Sequence, residues 1–79
     1  MAKENNIVHQ YFSKVTQEGK TLLKLNPIYL KGYEIFIPNE GEATLTEIEL
    51  TENYEQELRD TSFTPAGPLE FNLYYSGLV

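Results

Sequence analysis

Two runs of alternating apolar and polar residues in the middle of the chain predict a pair of antiparallel strands. In the first run, apolar side chains recur at every second position from Tyr33 to Ile37, and a similar alternation returns from Thr44 to Leu50. Between the runs, Pro38 cannot donate a ladder hydrogen bond, and Gly41 can adopt a positive φ at little cost. We therefore predict that Gly32 to Thr51 forms a hairpin around which the rest of the chain is arranged.

The N-terminal third fits two different periodicities. Apolar side chains between residues 7 and 16 match the i, i+3, i+4, i+7 spacing of an amphipathic helix, but the same residues also alternate as in a strand. The segment Thr16–Lys20 is typical of a hairpin turn with a glycine bulge, and Thr21–Leu25 is typical of a return strand. These neighbours favour a strand over residues 7–16, and a helix over residues 7–18 is the alternative.

The C-terminal third combines a short helical signal with an alternating run. Asn53 is a candidate N-cap, and Tyr54 and Leu58 share a face at i, i+4, which predicts a short helical turn near residues 53–59. Residues 60–68 contain two prolines and a glycine and are predicted to form a loop. From Leu69 to Tyr75 the apolar residues alternate, which predicts a last strand.

These elements together predict an all-β fold. We expect a small antiparallel barrel or sandwich of five or six short strands built from hairpins. The alternative fold is α+β, with the N-terminal helix over residues 7–18. The 79 residues suffice for one domain. Residues 1–6 are polar and are predicted to be a disordered N-terminus, and residues 7–79 are predicted to form the single small domain.

Composition narrows the location and the chemistry of the protein. The chain has no cysteine, which removes disulfides, thiolate metal sites and a cysteine nucleophile, and which is typical of a reducing compartment. No apolar run approaches the roughly 20 residues that span a bilayer, and the first ten residues lack the apolar region of a signal peptide. We therefore predict a cytoplasmic protein that does not enter a membrane.

Charge is distributed unevenly along the chain. Residues 1–33 carry five lysines and two glutamates, a net charge of +3, whereas residues 34–79 carry ten acids and only Arg59, a net charge of −9. Such asymmetry is typical either of a contact surface or of a solvated face that keeps the protein soluble. Because phosphate contacts need Lys and Arg, the overall charge of −6 argues against direct binding of nucleic acid.

Catalytic and cofactor motifs are absent from the sequence. His9 is the only histidine, and no serine lies in a nucleophile-elbow motif. No glycine-rich phosphate loop and no EF-hand spacing occurs. The sequence therefore predicts a protein that is not an enzyme and that takes no cofactor and no metal.

The acids and the tyrosines are the remaining candidates for function. Six tyrosines and four phenylalanines are many for so short a chain, and tyrosine is favoured at protein interfaces. We predict a non-enzymatic binding protein (an accessory subunit, adaptor or inhibitor) whose partner has a basic surface. One alternative is a self-associating structural protein that forms a homo-oligomer, and another is an acidic mimic of nucleic acid that blocks a nucleic-acid-binding protein. The predicted partner-binding residues are Glu47, Glu49, Tyr54, Glu55, Glu57 and Tyr74.

Overall fold

The computed structural model describes residues 8–78, so the predicted disordered N-terminus, residues 1–6, lies outside the described residues. Within this part of the chain, five strands and two helices follow one another. Their bounds are β1 Gln10–Thr16, β2 Gly19–Asn26, β3 Lys31–Pro38, β4 Thr44–Glu49, α1 Tyr54–Asp60, β5 Thr64–Pro65 and α2 Pro68–Leu78.

All five strands lie in one antiparallel sheet with the order β4-β3-β2-β1-β5. The predicted central hairpin is confirmed as β3 and β4, and the predicted N-terminal hairpin is confirmed as β1 and β2. The register aligns Lys24, Tyr33 and Glu47 in one row across the strands β2, β3 and β4.

The predicted all-β barrel or sandwich is wrong. The sheet has two distinct edges, β4 and β5, and does not close, and the helices α1 and α2 make the fold α+β. The α+β alternative was also wrong about its helix, because residues 10–16 form β1. Tyr11 and Phe12 point to opposite faces of the sheet and enter different cores, which a helix would not allow.

The predicted strand from Leu69 to Tyr75 is wrong, because these residues lie in the helix α2. Pro68 occupies the first helical position, where its missing N–H costs nothing. Phe71 and Tyr75 are spaced at i, i+4, so they meet on one helix face and both pack against the sheet. This pair satisfies the strand period and the helix period alike, which is why the alternation was misleading.

The sheet is packed on both faces. On one face Leu22 and Ile35 pack against Phe71 of α2, and on the other face Leu23 and Leu25 pack around Tyr54 of α1. The strand β2 supplies buried side chains to both cores, because successive residues point to opposite faces. The protein is therefore organised in three layers, with α2, the sheet and α1 in that order.

The helix α1 confirms the predicted helical turn, although its ends differ from expectation. Asn53 is the N-cap residue as predicted, but its side chain makes no capping hydrogen bond. Tyr54 and Leu58 share one core as predicted. At its C-terminal end, the N–H of Phe63 donates to the carbonyl of Leu58 at 3.0 Å, and Ser62 has a φ of 70°. This arrangement is a Schellman motif, and it places a serine where glycine is favoured.

The predicted loop over residues 60–68 is interrupted by the two-residue strand β5. Thr64 and Pro65 pair with Ser13 and Phe12 of β1, and the N–H of Ala66 donates to the carbonyl of Tyr11 at 2.8 Å. The chain thereby crosses the edge of the sheet between α1 on one face and α2 on the other.

Glycine is required at two turns. A Cβ atom on Gly19 would collide with the backbone carbonyl of Ile37 on the neighbouring strand. Gly41 has a φ of 102°, as predicted for the glycine of the central turn. Glycine is therefore the residue that fits positions 19 and 41 without a clash or backbone strain.

Candidate protein-binding edge and adjoining cleft

The two edges of the sheet are built differently. At one edge, β5 has only two residues, and one of them is Pro65, which cannot donate a hydrogen bond to a further strand. At the other edge, β4 has six residues, and within residues 8–78 no strand pairs with its outer side. An unpaired edge strand presents a row of N–H and C=O groups that can accept another strand. The strand β4 is therefore an open edge along all six residues, whereas β5 covers Phe12 and Ser13 of β1.

Acidic side chains surround the open edge. Glu47 and Glu49 are exposed on β4 and lie on the same sheet face as Leu45, which packs near α2. The chain carries five glutamates between residues 40 and 52 and no Lys or Arg between residues 32 and 58. The edge strand and its flanks therefore form a continuous acidic segment.

The structure separates the two predicted acidic pairs. Glu47 and Glu49 lie on β4, on the face that α2 covers, whereas Glu55 and Glu57 lie exposed on α1, which packs against the opposite face. The sheet stands between the two pairs. Only Glu47 and Glu49 lie on the edge strand itself, so the candidate edge comprises this pair alone.

The two predicted tyrosines also differ in their surroundings. Tyr54 is only 8% exposed, and its hydroxyl donates to the Oε1 atom of Gln10 at 2.8 Å. Burial, with a smaller contribution from the charge of Glu55, raises the pKa of Tyr54 above its usual value. Tyr74 lies on α2 and is 36% exposed. A partner-binding role for Tyr54 stays a prediction. Because Tyr54 is buried in the core beside α1, it is not part of the edge.

An open cleft of about 530 Å³ adjoins β4 on the face that α2 covers only in part. The sequence pattern did not predict this cleft. Its lining residues extend over 40 positions, from His9 to Glu49, and come together only through the strand register. Its wall toward the sheet edge carries Glu47 and Glu49, and Tyr33 lies between them and Lys24. The lining residues are His9, Lys24, Asn26, Tyr29, Lys31, Gly32, Tyr33, Glu47, Ile48 and Glu49.

His9 lines the cleft, and its surroundings shift its pKa. Burial, followed by the nearby charge of Lys24, lowers the pKa of His9 below its usual value of 6.5. The neutral form of His9 therefore predominates at pH 7. In the described part of the chain, no three His, Asp or Glu side chains meet in a group suited to a metal ion.

A second exposed feature lies on α2. Leu69 and Leu73 are 84% and 73% exposed, and their spacing of i, i+4 places them on one helix face. They lie away from Phe71, the one residue of α2 that is buried. Across residues 8–78, no helix is long and apolar enough to cross a membrane.

No protein-family model, no curated protein and no solved structure matches this chain.

Proposed function

We propose that this protein is a non-enzymatic binding protein that takes up an extended, basic segment of a partner protein along the outer edge of β4. The observation that supports this proposal is the contrast between the two sheet edges: β5 is short and contains proline, whereas β4 is six residues long and unpaired in residues 8–78. Strand addition at such an edge gains main-chain hydrogen bonds for any extended segment.

The charge of the edge selects the partner. Two copies of β4 would bring their own glutamates together, and like charges on adjacent strands are destabilising. A strand with Lys or Arg at alternate positions would instead place its cations beside Glu47 and Glu49. The glutamates would then have two effects, because they oppose self-pairing of the edge and attract a basic segment. With no cysteine in the chain, we place this activity in the cytoplasm.

A direct test uses a synthetic peptide with blocked ends, in which lysine alternates with threonine or valine. On titration into the ¹⁵N-labelled protein, we expect amide shifts to concentrate in Thr44–Glu49 and the affinity to fall with added salt. A peptide of the same length with glutamate in place of lysine serves as the negative control. Shifts spread evenly over the protein, or equal binding of both peptides, would contradict the proposal.

The chain offers a matched pair of charge-reversal variants. E47K/E49K changes the edge, whereas E55K/E57K makes the same change in net charge on α1, on the other face of the sheet. We expect the first variant to lose about tenfold or more in affinity for the lysine peptide and the second to change it much less. An equal loss in both variants would show that only overall charge matters and would remove the edge from the proposal.

The exposed leucines of α2 favour a second candidate, which is self-association. Leu69 and Leu73 would be covered if two copies packed through their α2 helices. This candidate requires a native mass above the 9.1 kDa of one chain, measured by light scattering after gel filtration, and a return to that mass in L69K/L73K. A mass of 9.1 kDa at high protein concentration would exclude it.

A further inference from the structure

The cleft beside β4 carries lysine and glutamate side chains on neighbouring strands. Lys24, Tyr33 and Glu47 stand directly opposite one another in register on three neighbouring strands. With strands spaced about 4.8 Å apart, the Cα atoms of Lys24 and Glu47 are separated by roughly 10 Å. The tyrosine occupies the position between the two charges.

The opposite charges of the cleft do not neutralise each other by direct contact. Among residues 8–78, the ion pair within 4.0 Å is the one between Lys20 and Glu70, and it lies outside the cleft. Lys31 stands opposite Glu49 on the adjacent strand, and these two side chains also make no such ion pair. Within residues 8–78, the ammonium and carboxylate groups of the cleft therefore form no ion pair with one another.

Charge balance restricts the class of molecule. Among residues 8–78, two lysines and two glutamates line the cleft, and His9 is neutral, so the net charge of these side chains is zero. A simple anion would be attracted by Lys24 but repelled by Glu47, and a simple cation would meet the reverse. A molecule with both a carboxylate and an ammonium group satisfies both sides.

The rim of the cleft carries an aromatic side chain that has no role in the core. Tyr29 is 66% exposed, and the turn that presents it is held by Asn26, whose Oδ1 atom accepts hydrogen bonds from the backbone N–H groups of Ile28 and Tyr29 at 2.9 and 3.1 Å. Tyr33 contributes a second ring, placed 6.0 Å from the ring of Tyr75. The two tyrosines give the cleft apolar surface between its charged groups.

We propose that this cleft is a binding site for a small zwitterion, such as a free amino acid or a short peptide. The carboxylate of the ligand lies toward Lys24 and His9, and its ammonium group lies toward Glu47. This proposal does not rest on strand addition at the outer edge of β4, because the ligand needs none of the unpaired backbone groups of that edge, although both proposals use the carboxylate of Glu47.

The experiment is an NMR titration of the ¹⁵N-labelled protein with glycine, glycylglycine and triglycine, which increase the separation of the two charges stepwise. Acetate and ethylamine at equal concentration are the single-charge controls. We expect at least one of the three zwitterions to shift the amides of Lys24, Tyr33 and Glu47 in a saturable way with a millimolar Kd, and the controls to leave them almost unchanged. Equal shifts from acetate or ethylamine, or no shift from any zwitterion, would overturn the proposal.

His9 provides an internal probe, since it is the only histidine in the chain. A carboxylate bound beside Lys24 adds a negative charge near the imidazole, so saturation with the ligand raises the pKa of His9. The ring resonances of His9 measure this pKa directly. An unchanged pKa at saturation would place the ligand elsewhere and would contradict the assigned orientation.

Two conservative variants complete the test. K24Q and E47Q each remove one charge, and each lowers the affinity for the zwitterion about tenfold. E57Q, on α1 and outside the cleft, is the matched control and leaves the affinity unchanged. An amide spectrum with the wild-type dispersion verifies that each variant is folded. Loss of binding in K24Q alone would show a carboxylate site rather than a zwitterion site and would overturn the proposal.

Discussion

The packing of α2 leads to a sharp prediction about stability. Phe71 is only 2% exposed, and its ring centroid lies 6.0 Å from that of Tyr11 and 5.8 Å from that of Tyr75. Truncating a buried phenylalanine to alanine removes these contacts and leaves a cavity, which costs about 3–5 kcal/mol. Leu73 lies on the same helix but is exposed, so Leu73→Ala should change the free energy of unfolding by about 0.5 kcal/mol or less.

The assay is urea unfolding followed by far-UV circular dichroism. A domain of this length has a stability of roughly 4–12 kcal/mol, so Phe71→Ala removes a large part of it. Phe71→Leu, which keeps most of the volume, should cost about 1.5 kcal/mol or less and provides a measurable transition if the alanine variant does not fold.

The comparison also separates the helix from the strand that the alternation predicted. In a strand, Leu69, Phe71 and Leu73 would share the buried face, and each leucine-to-alanine change would cost about 2–5 kcal/mol. In the helix only Phe71 is costly. A cost of about 2 kcal/mol or more in Leu73→Ala would refute the packing of α2 described here.

Three further predictions concern single positions. Ser62→Gly should raise the free energy of unfolding by about 0.5–1 kcal/mol, because residue 62 has a φ of 70° at the end of α1. A lower midpoint of thermal unfolding in this variant would contradict the prediction. Tyr54→Phe should cost about 1 kcal/mol, since it removes the hydrogen bond to Gln10, and an unchanged urea midpoint would contradict that bond. The lowered pKa of His9 means that the unfolded chain binds the proton more tightly, so the contribution of His9 to stability falls as the pH drops below 6.5 and levels off below its folded pKa. His9→Gln should flatten this part of the pH profile, and an identical profile in the variant would show that the slope has another origin.

Local sequence pattern was sufficient for β2, β3, β4 and α1, whereas the segment of β1 fitted both periods and was assigned from the turn and strand that follow it. The alternation on either side of Gly41, and the turn before Thr21, place side chains on two faces with a period that only a strand has. The pair Tyr54 and Leu58 likewise identified α1, because i, i+4 spacing brings both side chains to one face. These signals are carried by neighbours in the sequence.

The identity of α2 required tertiary structure. The apolar residues at 69, 71, 73 and 75 have the alternating spacing of a strand, but 71 and 75 also have the i, i+4 spacing of a helix. The spacing of apolar residues alone does not decide between the two. The decision is made by the uncovered face of the sheet around Leu22 and Ile35, which a helix presenting Phe71 and Tyr75 covers. Propensity over a short apolar run is weaker than such a packing contribution.

The candidate sites depend on register in the same way. The sequence alone identified Glu47 and Glu49 as an exposed acidic pair, since alternation places them together on one strand face. It did not show that β4 lies at an edge, that Glu55 and Glu57 belong to the opposite side of the sheet, or that Lys24 and Tyr33 stand beside Glu47. Those relations join residues far apart in the chain, and they arise only when backbone hydrogen bonds between strands set which residue stands opposite which.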